Sequence, residues 1–465
     1  MSGSTVLIVG MGITGMSMVR HALGCGRTPV VADTRANPPL LAQLGAEFPQ
    51  VEFRHSDSFA AIGAVAGDFD EVWISSGVSP AWLQLPSGCT PCGDLQLFGE
   101  SCLQAQAQGK TRARLILITG TNGKSTCATL TAGRLAASGR RAVAIGNIGV
   151  PLLDSLARWQ SDGWPEIIVA EVSSYQLALR SRTAADIACL LNVSPHHLSW
   201  HGSERNYAAV KRSVYEQVAV GVFNRADKHS VKGATAAGRQ VGFGGSDARE
   251  GEWTVQRGML MRAGASPADA LPASALLRIG IMPENAAAAF AIAETAGCPL
   301  ADDASLGWLS VQRGLAHRLH HVASASGISY IDDSKATNEA AAIAALAAVG
   351  AEGTVLIAGG DCRPDSSFAR LAKAACKLAG AVLLGDSASA LSKALADLPI
   401  CLSQASDMNQ AVSQASAMAR KLGARRVLLS PACPSFDMFS NFGERGDAFA
   451  LAVRSMGGSD EVHAA

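Results

Sequence analysis

The chain of 465 residues has no apolar run long enough to span a bilayer, which takes about 20 consecutive residues. Its apolar, glycine-rich segment from Val6 to Val19 lacks the basic start and the small-residue cleavage site of a secretion signal. The chain also lacks net charge, because 39 Lys and Arg residues balance 39 Asp and Glu residues. These absences argue against membrane insertion and against a surface that binds nucleic acid.

The cysteines do not form the pattern of a disulfide framework. There are 11, an odd number, scattered from Cys25 to Cys433, whereas a small secreted domain would carry them densely and usually in even number. Cys89 and Cys92 form a single C-x-x-C, and no second pair follows at the spacing of a zinc site. We therefore expect reduced thiols in a cytoplasmic protein.

Apolar strands alternate with helical segments along most of the chain. Three regions each open on a strand, at Thr5–Val9, Leu115–Ile118 and Ile328–Ile331. This alternation predicts an α/β fold with parallel sheets covered by helices, and the length predicts two to four domains. The Gly- and Ala-rich stretch 230–274 is predicted to form a small antiparallel subregion.

The segment Gly120-Thr-Asn-Gly-Lys-Ser-Thr126 carries the strongest single signal. It follows an apolar strand and precedes a helix that is predicted to start near Lys124. Glycines let backbone amides surround phosphate oxygens, and a helix N-terminus adds favourable partial charge. The lysine would contact the outer phosphates. The hydroxyls that follow it would bind Mg²⁺. The loop is two residues shorter than the usual G-x-x-x-x-G-K-[ST] pattern, yet it still predicts a phosphate-binding site.

Further polar residues follow the later strands. Glu171 ends the apolar strand after Ile167, where a Mg²⁺ ligand is expected beside a phosphate loop. Three histidines, His196, His197 and His201, lie in the next loop, but no cysteine or carboxylate completes a zinc set. Lys211 lies four residues after Tyr207 on one helix face, and by itself is interpreted as a solvated lysine.

The N-terminal glycines leave an alternative open. Gly10, Gly12 and Gly15 match G-x-G-x-x-G, and Asp33 follows about 20 residues later, as in dinucleotide-binding sites. A nicotinamide-dependent oxidoreductase would have this turn, although nothing downstream resembles a hydride-transfer site. A non-catalytic nucleotide-binding regulator is a further reading of the phosphate loop.

Taken in order over essentially the whole chain, the motifs resemble the Mur ligase family. The segments that carry the resemblance are G-M-G-I-T-G-M-S (10–17), A-D-T-R (32–35), S-S-G-V (75–78), G-D-L-Q-L-F (93–98), G-T-N-G-K-S-T (120–126), G-N-I-G (146–149), E-V-S-S-Y-Q (171–176), L-N-V-S-P-H-H (191–197), G-L-A-H-R (314–318), D-D-S-K-A-T-N (332–338), G-G-D (359–361) and S-P-A-C-P-S-F-D-M-F-S-N-F-x-x-R-G (430–446).

The resemblance implies a fold and an activity. Three domains are expected: a Rossmann-like domain for the UDP-sugar at 1–108, a central ATP-binding domain with a mostly parallel sheet at 109–313, and a Rossmann-like domain for the amino acid at 314–465. The implied reaction adds D-glutamate to UDP-N-acetylmuramoyl-L-alanine through an acyl phosphate, with ATP and two Mg²⁺ ions, in peptidoglycan precursor synthesis. A cytoplasmic monomer is expected.

The resemblance also implies roles for individual residues, grouped here by ligand. The UDP-substrate would contact Gly12, Ile13, Thr14, Asp33, Thr34, Arg35, Gly77, Asn147 and Gln176. ATP would contact Gly120, Thr121, Asn122, Gly123, Lys124, Ser125, Thr126, Asn285, Arg318, Asp333 and Lys335. The metal ions would be held by Ser125, Thr126, Glu171, His197 and a carbamylated Lys211. Glutamate would contact Thr337, Arg363, Ser435 and Phe442. The catalytic set would be Lys124, Glu171, His197 and Lys211.

The chain departs from the family pattern in several places, one of them a small change, Ala316 in place of a common proline. His196 stands where an acidic residue usually precedes the metal histidine, and Gly280–Asn285 keeps only part of the adenine-side motif G-x-H-N-x-x-N. Arg363 stands where a lysine contacts the amino acid, and its planar guanidinium still suits a carboxylate. An L-glutamate-adding member remains an alternative. A folylpolyglutamate synthase is disfavoured because it lacks the N-terminal glycine module.

Overall fold

The computed structural model describes residues 4–179, 183–266, 270–298, 309, 314–361 and 368–457. The chain divides into two compact units. The first comprises Met1–Thr254, Arg262–Gly264 and Ala287–Ser305, and the second comprises Val255–Met261, Ala265–Ala286 and Leu306–Ala465. No helix within the described ranges has both the length and the apolar character that a membrane crossing requires.

The first unit opens with a four-stranded parallel sheet. Its spatial order is β3-β2-β1-β4, with β1 Thr5–Val9, β2 Thr28–Asp33, β3 Glu52–His55 and β4 Glu71–Ile74. Val6 to Val9 are fully buried, because helices cover both faces of a parallel sheet. The helices are α1 Ile13–Gly24, α2 Leu41–Glu47, α3 Phe59–Ala64, α4 Pro80–Leu83 and α5 Asp94–Ala107.

A six-stranded parallel sheet follows in the same unit. Its order is β10-β9-β8-β5-β7-β6, with β5 Arg114–Thr119, β6 Ala142–Gly146, β7 Ile167–Glu171, β8 Ala185–Leu190, β9 Val218–Asn224 and β10 Arg239–Phe243. The helices are α6 Lys124–Ala137, α7 Leu152–Asp162, α8 Ser174–Ala178, α9 Leu198–His201, α10 Glu204–Arg212 and α11 Lys228–Ala234. One hydrophobic core contains side chains from both sheets of the unit, including Val6 and Ile8 of the first sheet and Leu117 and Ile168 of the second.

The predicted antiparallel subregion at 230–274 is only partly right. Residues 228–234 form helix α11, and 239–243 join the parallel sheet as its edge strand. The small sheet begins only at Trp253, with order β11-β12-β13 and strands β11 Trp253–Gln256, β12 Met259–Arg262 and β13 Leu271–Pro272. Helices α12 Ala273–Arg278 and α13 Pro283–Thr295 come next.

The second unit contains a six-stranded sheet of order β14-β15-β19-β16-β17-β18. The strands are β14 His320–Ala325, β15 Ile328–Asp332, β16 Thr354–Gly359, β17 Gly380–Leu384, β18 Cys401–Gln404 and β19 Arg426–Leu429. All pair in parallel except β14, an antiparallel edge strand. The helices are α14 Glu339–Val349, α15 Ala369–Ala375, α16 Ala388–Leu395, α17 Met408–Leu422 and α18 Phe442–Ser455.

The α/β class predicted from the sequence is confirmed. One parallel or mostly parallel sheet lies within each of the three predicted segments, 1–108, 109–313 and 314–465. The boundaries between those segments remain a prediction.

Candidate active site

The phosphate loop connects β5 to α6 at the carboxyl edge of the central sheet. Gly123 caps the helix with φ = +85°, a conformation that glycine adopts without strain. Lys124 is the first helical residue, and its Nζ donates to the carbonyl of Thr121 at 3.0 Å. The helix N-terminus therefore faces the loop with a lysine beside it, as phosphate binding requires.

The loop is held in shape by the end of the neighbouring strand β8. The Asn192 Oδ1 accepts from the amide of Asn122 at 2.9 Å, and its Nδ2 donates to the Asn122 carbonyl at 3.1 Å. The Thr121 hydroxyl lies 3.0 Å from the Tyr207 hydroxyl. Sequence reasoning gave Asn192 no role, although its place just after a strand adjacent to β5 was a usable signal.

Glu171 is the last residue of β7 and is only 1% exposed. Strand register places it beside Ile118 at the end of β5, next to the phosphate loop. Its Oε1 accepts from Asn147 Nδ2 at 2.9 Å, while its buried Oε2 has no hydrogen-bond partner among the residues that the structure describes. A buried carboxylate oxygen without a donor is costly unless a cation binds it, and oxygen ligands suit Mg²⁺.

Two hydroxyl groups beside the loop are further oxygen ligands that a cation could use. Ser125 and Thr126 are both buried in the first turn of α6. Among the described residues, no three His, Cys, Asp or Glu side chains come together as a metal site. Magnesium usually takes one or two carboxylates and fills its remaining positions with water and phosphate oxygens. One carboxylate with two hydroxyls therefore fits that ion.

Lys211 is buried, and its interpretation as a solvated lysine is wrong. It is 1% exposed, and its Nζ donates to the Thr119 hydroxyl at 3.1 Å. Burial and the nearby charge of Lys124 lower the pKa of Lys211 well below its usual value, and Glu171 opposes that shift. Tyr207 and Lys211 are both buried on one face of helix α10, so the i, i+4 pair belongs to the interior.

The histidine loop forms an aromatic cluster beside α8. The Tyr175 ring lies 4.8 Å from the His197 ring and 5.8 Å from the His201 ring, centroid to centroid. His201 Nε2 is 3.0 Å from the Ser174 hydroxyl. Burial, reinforced by the charge of Lys211, lowers the pKa of His201 to about 4. His201 is therefore neutral near pH 7, and sequence reasoning assigned it no role.

The N-terminal glycine turn is tightly closed. A Cβ on Gly15 would come within 2.0 Å of the Gly10 carbonyl oxygen, so helix α1 can pack this closely only through glycine. Gly10 has φ = +96°. A Cβ on Gly12 would meet no atom of the described residues within 4 Å, which leaves room for a ligand above the turn. Ile13, next to it, is 69% exposed.

Asp33 organises this turn from within. It is 2% exposed, and its carboxylate accepts from the Met11 amide at 2.7 Å and from the Arg35 amide at 2.9 Å. The Arg35 guanidinium donates to both oxygens, at 2.9 and 2.7 Å. Burial alone would raise the pKa of Asp33, but these hydrogen bonds hold it below its usual value. The acid that would read a dinucleotide ribose is thus engaged by its own chain.

The remaining residues predicted to bind the UDP-substrate differ in accessibility. Gly77 is exposed, and Thr34 is half-buried. Gln176 is buried: its Nε2 donates to Asp94 Oδ2 at 2.8 Å, and its Oε1 accepts from the Ser173 amide. Burial raises the pKa of Asp94 to about 6. Gln176 therefore links α8 to α5, and sequence reasoning missed Asp94.

In the second unit, predicted residues collect at the carboxyl ends of β15 and β19. Asp333 accepts from the Ser430 hydroxyl at 2.8 Å and from the Leu319 amide at 3.2 Å, and burial raises its pKa to about 7. Lys335 Nζ lies 3.7 Å from the centroid of the Phe442 ring. Ser435 is buried.

For the other predicted residues of this unit, only the position in the fold or the burial can be stated. Thr337 is half-buried just after Lys335, and Arg318 precedes β14. Asn285 lies in the first turn of α13. Arg363 lies outside the described residues.

Arg445, which sequence reasoning did not assign, holds the second-unit loops together. Its buried guanidinium donates to the carbonyls of Cys433, Pro434 and Ser334 at 2.8–3.0 Å, and its Nε donates to the Ser334 hydroxyl. Burial lowers the pKa of Arg445 to about 10. The arginine in the last motif of the chain was the available signal.

The parallel sheets, the phosphate loop and the buried carboxylate beside it define an α/β nucleotide-binding enzyme. Residues 4–87 match the Mur ligase MurD-like N-terminal domain, residues 118–260 the Mur ligase middle domain, and residues 317–433 the Mur ligase glutamate ligase domain. Together with the relatives described next, these matches show that the chain belongs to the Mur ligase family.

Two of the curated relatives that match nearly end to end illustrate the similarity. Both are named UDP-N-acetylmuramoylalanine–D-glutamate ligase. The protein from Albidiferax ferrireducens is 36% identical, covering 96% of this chain and 95% of its own. The protein from Pseudomonas aeruginosa is 37% identical, covering 97% and 98%.

Solved structures show the same fold. UDP-N-acetylmuramate-alanine ligase MurC from Thermotoga maritima superposes with a TM-score of 0.58 at 17% identity, covering 97% of this chain and all of that one. MurF ligase from the same organism gives 0.56 at 15% identity, covering 98% and 96%.

Proposed function

We propose that the chain is a UDP-N-acetylmuramoylalanine–D-glutamate ligase, which joins D-glutamate to the alanine carboxylate of UDP-N-acetylmuramoyl-L-alanine at the expense of ATP. The observation that carries the proposal is the sequence identity of 36–37% over nearly the full length of relatives with that name. The geometry supports it separately, because the charged groups around the phosphate loop suit phosphoryl transfer to a carboxylate.

The first step would convert the carboxylate into an acyl phosphate. A carboxylate is a poor acyl donor, and phosphorylation supplies a leaving group. The obstacle is repulsion between the triphosphate and the carboxylate, which in-line transfer brings together. Lys124 would offset that repulsion at the loop, while the α6 N-terminus orients the phosphates. Lys335, Asp333, Arg318 and Asn285 are proposed to contact the rest of ATP.

Glu171, Ser125, Thr126, His197 and a carbamylated Lys211 are proposed to hold two Mg²⁺ ions. When bound, these ions would neutralise charge that develops on the transferred phosphoryl group. Carbamylation requires a neutral amine that can attack carbon dioxide. The buried Lys211, with its depressed pKa, is such an amine. The carbamate would bring a negative charge to a position beside Lys124.

The second step would be attack by the glutamate amine on the acyl phosphate. Ser435, Thr337, Phe442 and Arg363 are proposed to surround the glutamate, and an arginine suits its side-chain carboxylate. The amine must lose a proton to attack, and His197 is the candidate acceptor. Exclusion of water would protect the acyl phosphate from hydrolysis.

The UDP-substrate is proposed to lie over the Gly10–Gly15 turn, where the open space above Gly12 leaves room for a diphosphate. Asp33 would act by holding the turn, because its oxygens already accept from the chain. Gly77 and Asn147 would contact the sugar-peptide, and Gln176 would act mainly by positioning α8. We further propose that the enzyme is a monomer and that it is cytoplasmic; the ten described cysteines are free thiols, as a reducing compartment would keep them.

The test is release of phosphate from ATP and Mg²⁺ with UDP-N-acetylmuramoyl-L-alanine, comparing D-glutamate, L-glutamate and no amino acid. We expect phosphate and a UDP-dipeptide with D-glutamate alone. Product with L-glutamate alone would keep the mechanism and replace the substrate. No product with either would overturn the proposal, provided that ATP still raises the melting temperature of the chain.

A further inference from the structure

In the first unit, a cavity lies at the amino ends of the central-sheet strands, whereas the phosphate loop lies at their carboxyl ends. The cavity has a volume of about 630 Å³. Its walls are the segments 109–114, which leads into β5, 140–141, which leads into β6, and 163–167, which leads into β7. Parallel strands present their amino ends at one edge and their carboxyl ends at the other. The cavity is therefore separated from the phosphate loop by the length of β5.

The walls are strongly basic, in a chain whose total charge is zero. Five basic side chains line the cavity against a single carboxylate, Glu166: Lys110, Arg112, Arg114, Arg140 and Arg141. Five positive charges less one give the lining a net charge of +4. Such a concentration of one sign attracts anions from solution.

Structural roles account for only part of this charge. Arg114 Nη1 donates to the carbonyl of Ala296 at 2.9 Å. Arg140 lies 3.2 Å and Arg141 3.8 Å from Glu166, nitrogen to oxygen, and both follow the C-terminus of α6, where cations are favoured. Lys110 and Arg112 come from a different segment, are exposed, and have no carboxylate within ion-pair distance among the described residues.

We propose that this cavity binds a small polyanion that carries two or more phosphate groups. Guanidinium groups match phosphate oxygens with paired hydrogen bonds. The half-buried Trp164 supplies an apolar wall beside them, and its ring packs on Trp159 at 5.2 Å between centroids. The volume is that of a small-molecule site, whereas an anionic membrane would meet a flat or convex surface. The inference does not depend on the proposed function.

Calorimetric titration with inorganic tripolyphosphate tests the site in about 0.15 M KCl. The parent is the full chain carrying Lys124→Ala, which weakens phosphate binding at the catalytic loop. Arg112→Gln/Arg141→Gln removes two exposed charges from the cavity, and Arg420→Gln/Arg454→Gln removes two exposed charges from the other unit. We expect the cavity pair to weaken binding about tenfold or more, and the control pair to change it less than twofold.

Further measurements keep the result interpretable. In the chain with Lys124 intact, the cavity pair should lower the stoichiometry from two to one without changing basal ligation. Equal affinities for the cavity and control pairs would overturn the proposal, as would binding that disappears in both at this ionic strength. Sedimentation with anionic lipid vesicles that depends on Arg112 and Arg141, without tripolyphosphate binding, would replace the small polyanion by a membrane surface.

Discussion

The first unit contains two turns of similar construction. Gly10–Gly15 and Gly120–Lys124 each connect a buried parallel strand to a helix through glycines. Around the first turn, the Asp33 carboxylate accepts from the Met11 amide and from the amide and guanidinium of Arg35. Around the second, the Glu171 Oε2 is buried without a hydrogen-bond partner in the described part of the chain, and the Lys211 amine is buried with a depressed pKa.

This difference in hydrogen bonding indicates that the same strand-glycine-helix motif serves ligand binding at the first turn and catalysis at the second. In the first turn the Asp33 carboxylate already has hydrogen-bond partners within the chain. A ligand there would therefore contact mainly backbone groups and occupy the open space above Gly12. The second keeps a carboxylate oxygen and an amine out of water, which lowers stability unless ions and phosphates compensate for it. Perturbed groups of this kind mark the place where chemistry occurs. We therefore expect substitutions to affect catalysis at the second turn and binding or stability at the first.

The largest effect is expected from Glu171→Gln. Glutamine keeps the shape and can still accept from Asn147, but it removes the charge that suits a cation. Ligation should fall by about 10²–10³-fold, while the melting temperature stays the same or rises. Phosphate release and thermal unfolding check this. Glu250→Gln, at an exposed site, is the control. A rate near that of the parent would erase the contrast between the two turns.

In buffer freed of CO₂, Lys211→Met should raise the free energy of unfolding by about 1–3 kcal/mol, because an apolar side chain replaces a buried amine that lies near the charge of Lys124. The pKa of Lys211 is lower in the folded chain, so the unfolded chain binds more protons below the ordinary value of 10.5. Parent stability should therefore rise with pH towards 10.5, and the gain from methionine should shrink.

Urea unfolding from pH 7 to pH 10 measures this gain, with the exposed Lys232→Met as control. A loss of stability on introducing methionine would show that Lys211 is a structural cation. The second turn would then be as complete as the first.

The smallest effect is expected from Asp33→Asn. It leaves one acceptor for the Met11 amide but removes the charge that pairs with Arg35, at a cost of about 1 kcal/mol. The KM for the UDP-substrate should rise by about tenfold with little change in kcat. Asp57→Asn is the exposed control. A fall in kcat with KM unchanged would place the first turn among the catalytic groups.

The stability difference at Asp33 should also depend on pH. The pKa of Asp33 is lowered in the folded chain, so its contribution is present above the ordinary value of 3.8. It is lost as the pH falls through the lower folded pKa. The difference between Asp33 and the asparagine variant should therefore disappear in acid.

Local pattern was enough to predict much of the fold. The apolar runs predicted at Thr5–Val9, Leu115–Ile118 and Ile328–Ile331 are strands, and the helix predicted to start near Lys124 begins at that residue. The strands missing from the prediction include β3 and β18. Both are edge strands with polar, partly exposed residues, so they carry no apolar run.

The candidate site likewise contains residues that local sequence pattern could predict and residues that it could not. The phosphate loop and Glu171 could be predicted because a strand end and a glycine turn mark them locally. The Asp94–Gln176 pair joins residues 82 positions apart, and the burial of Lys211 depends on which helix face meets the sheet. Those facts follow from tertiary packing, which one sequence does not display.

The hydrogen bonds that the Asp33 carboxylate accepts from its own chain limit how the first turn could be redesigned. Glycine spacing and a later acid match a dinucleotide fingerprint, yet here the acid is bound by Arg35, whose side chain is itself 54% exposed. Redesign of this turn to accept a nicotinamide cofactor would have to begin by removing the arginine side chain, because its guanidinium donates to both carboxylate oxygens in addition to the two backbone amides. The glycines alone would not confer that specificity.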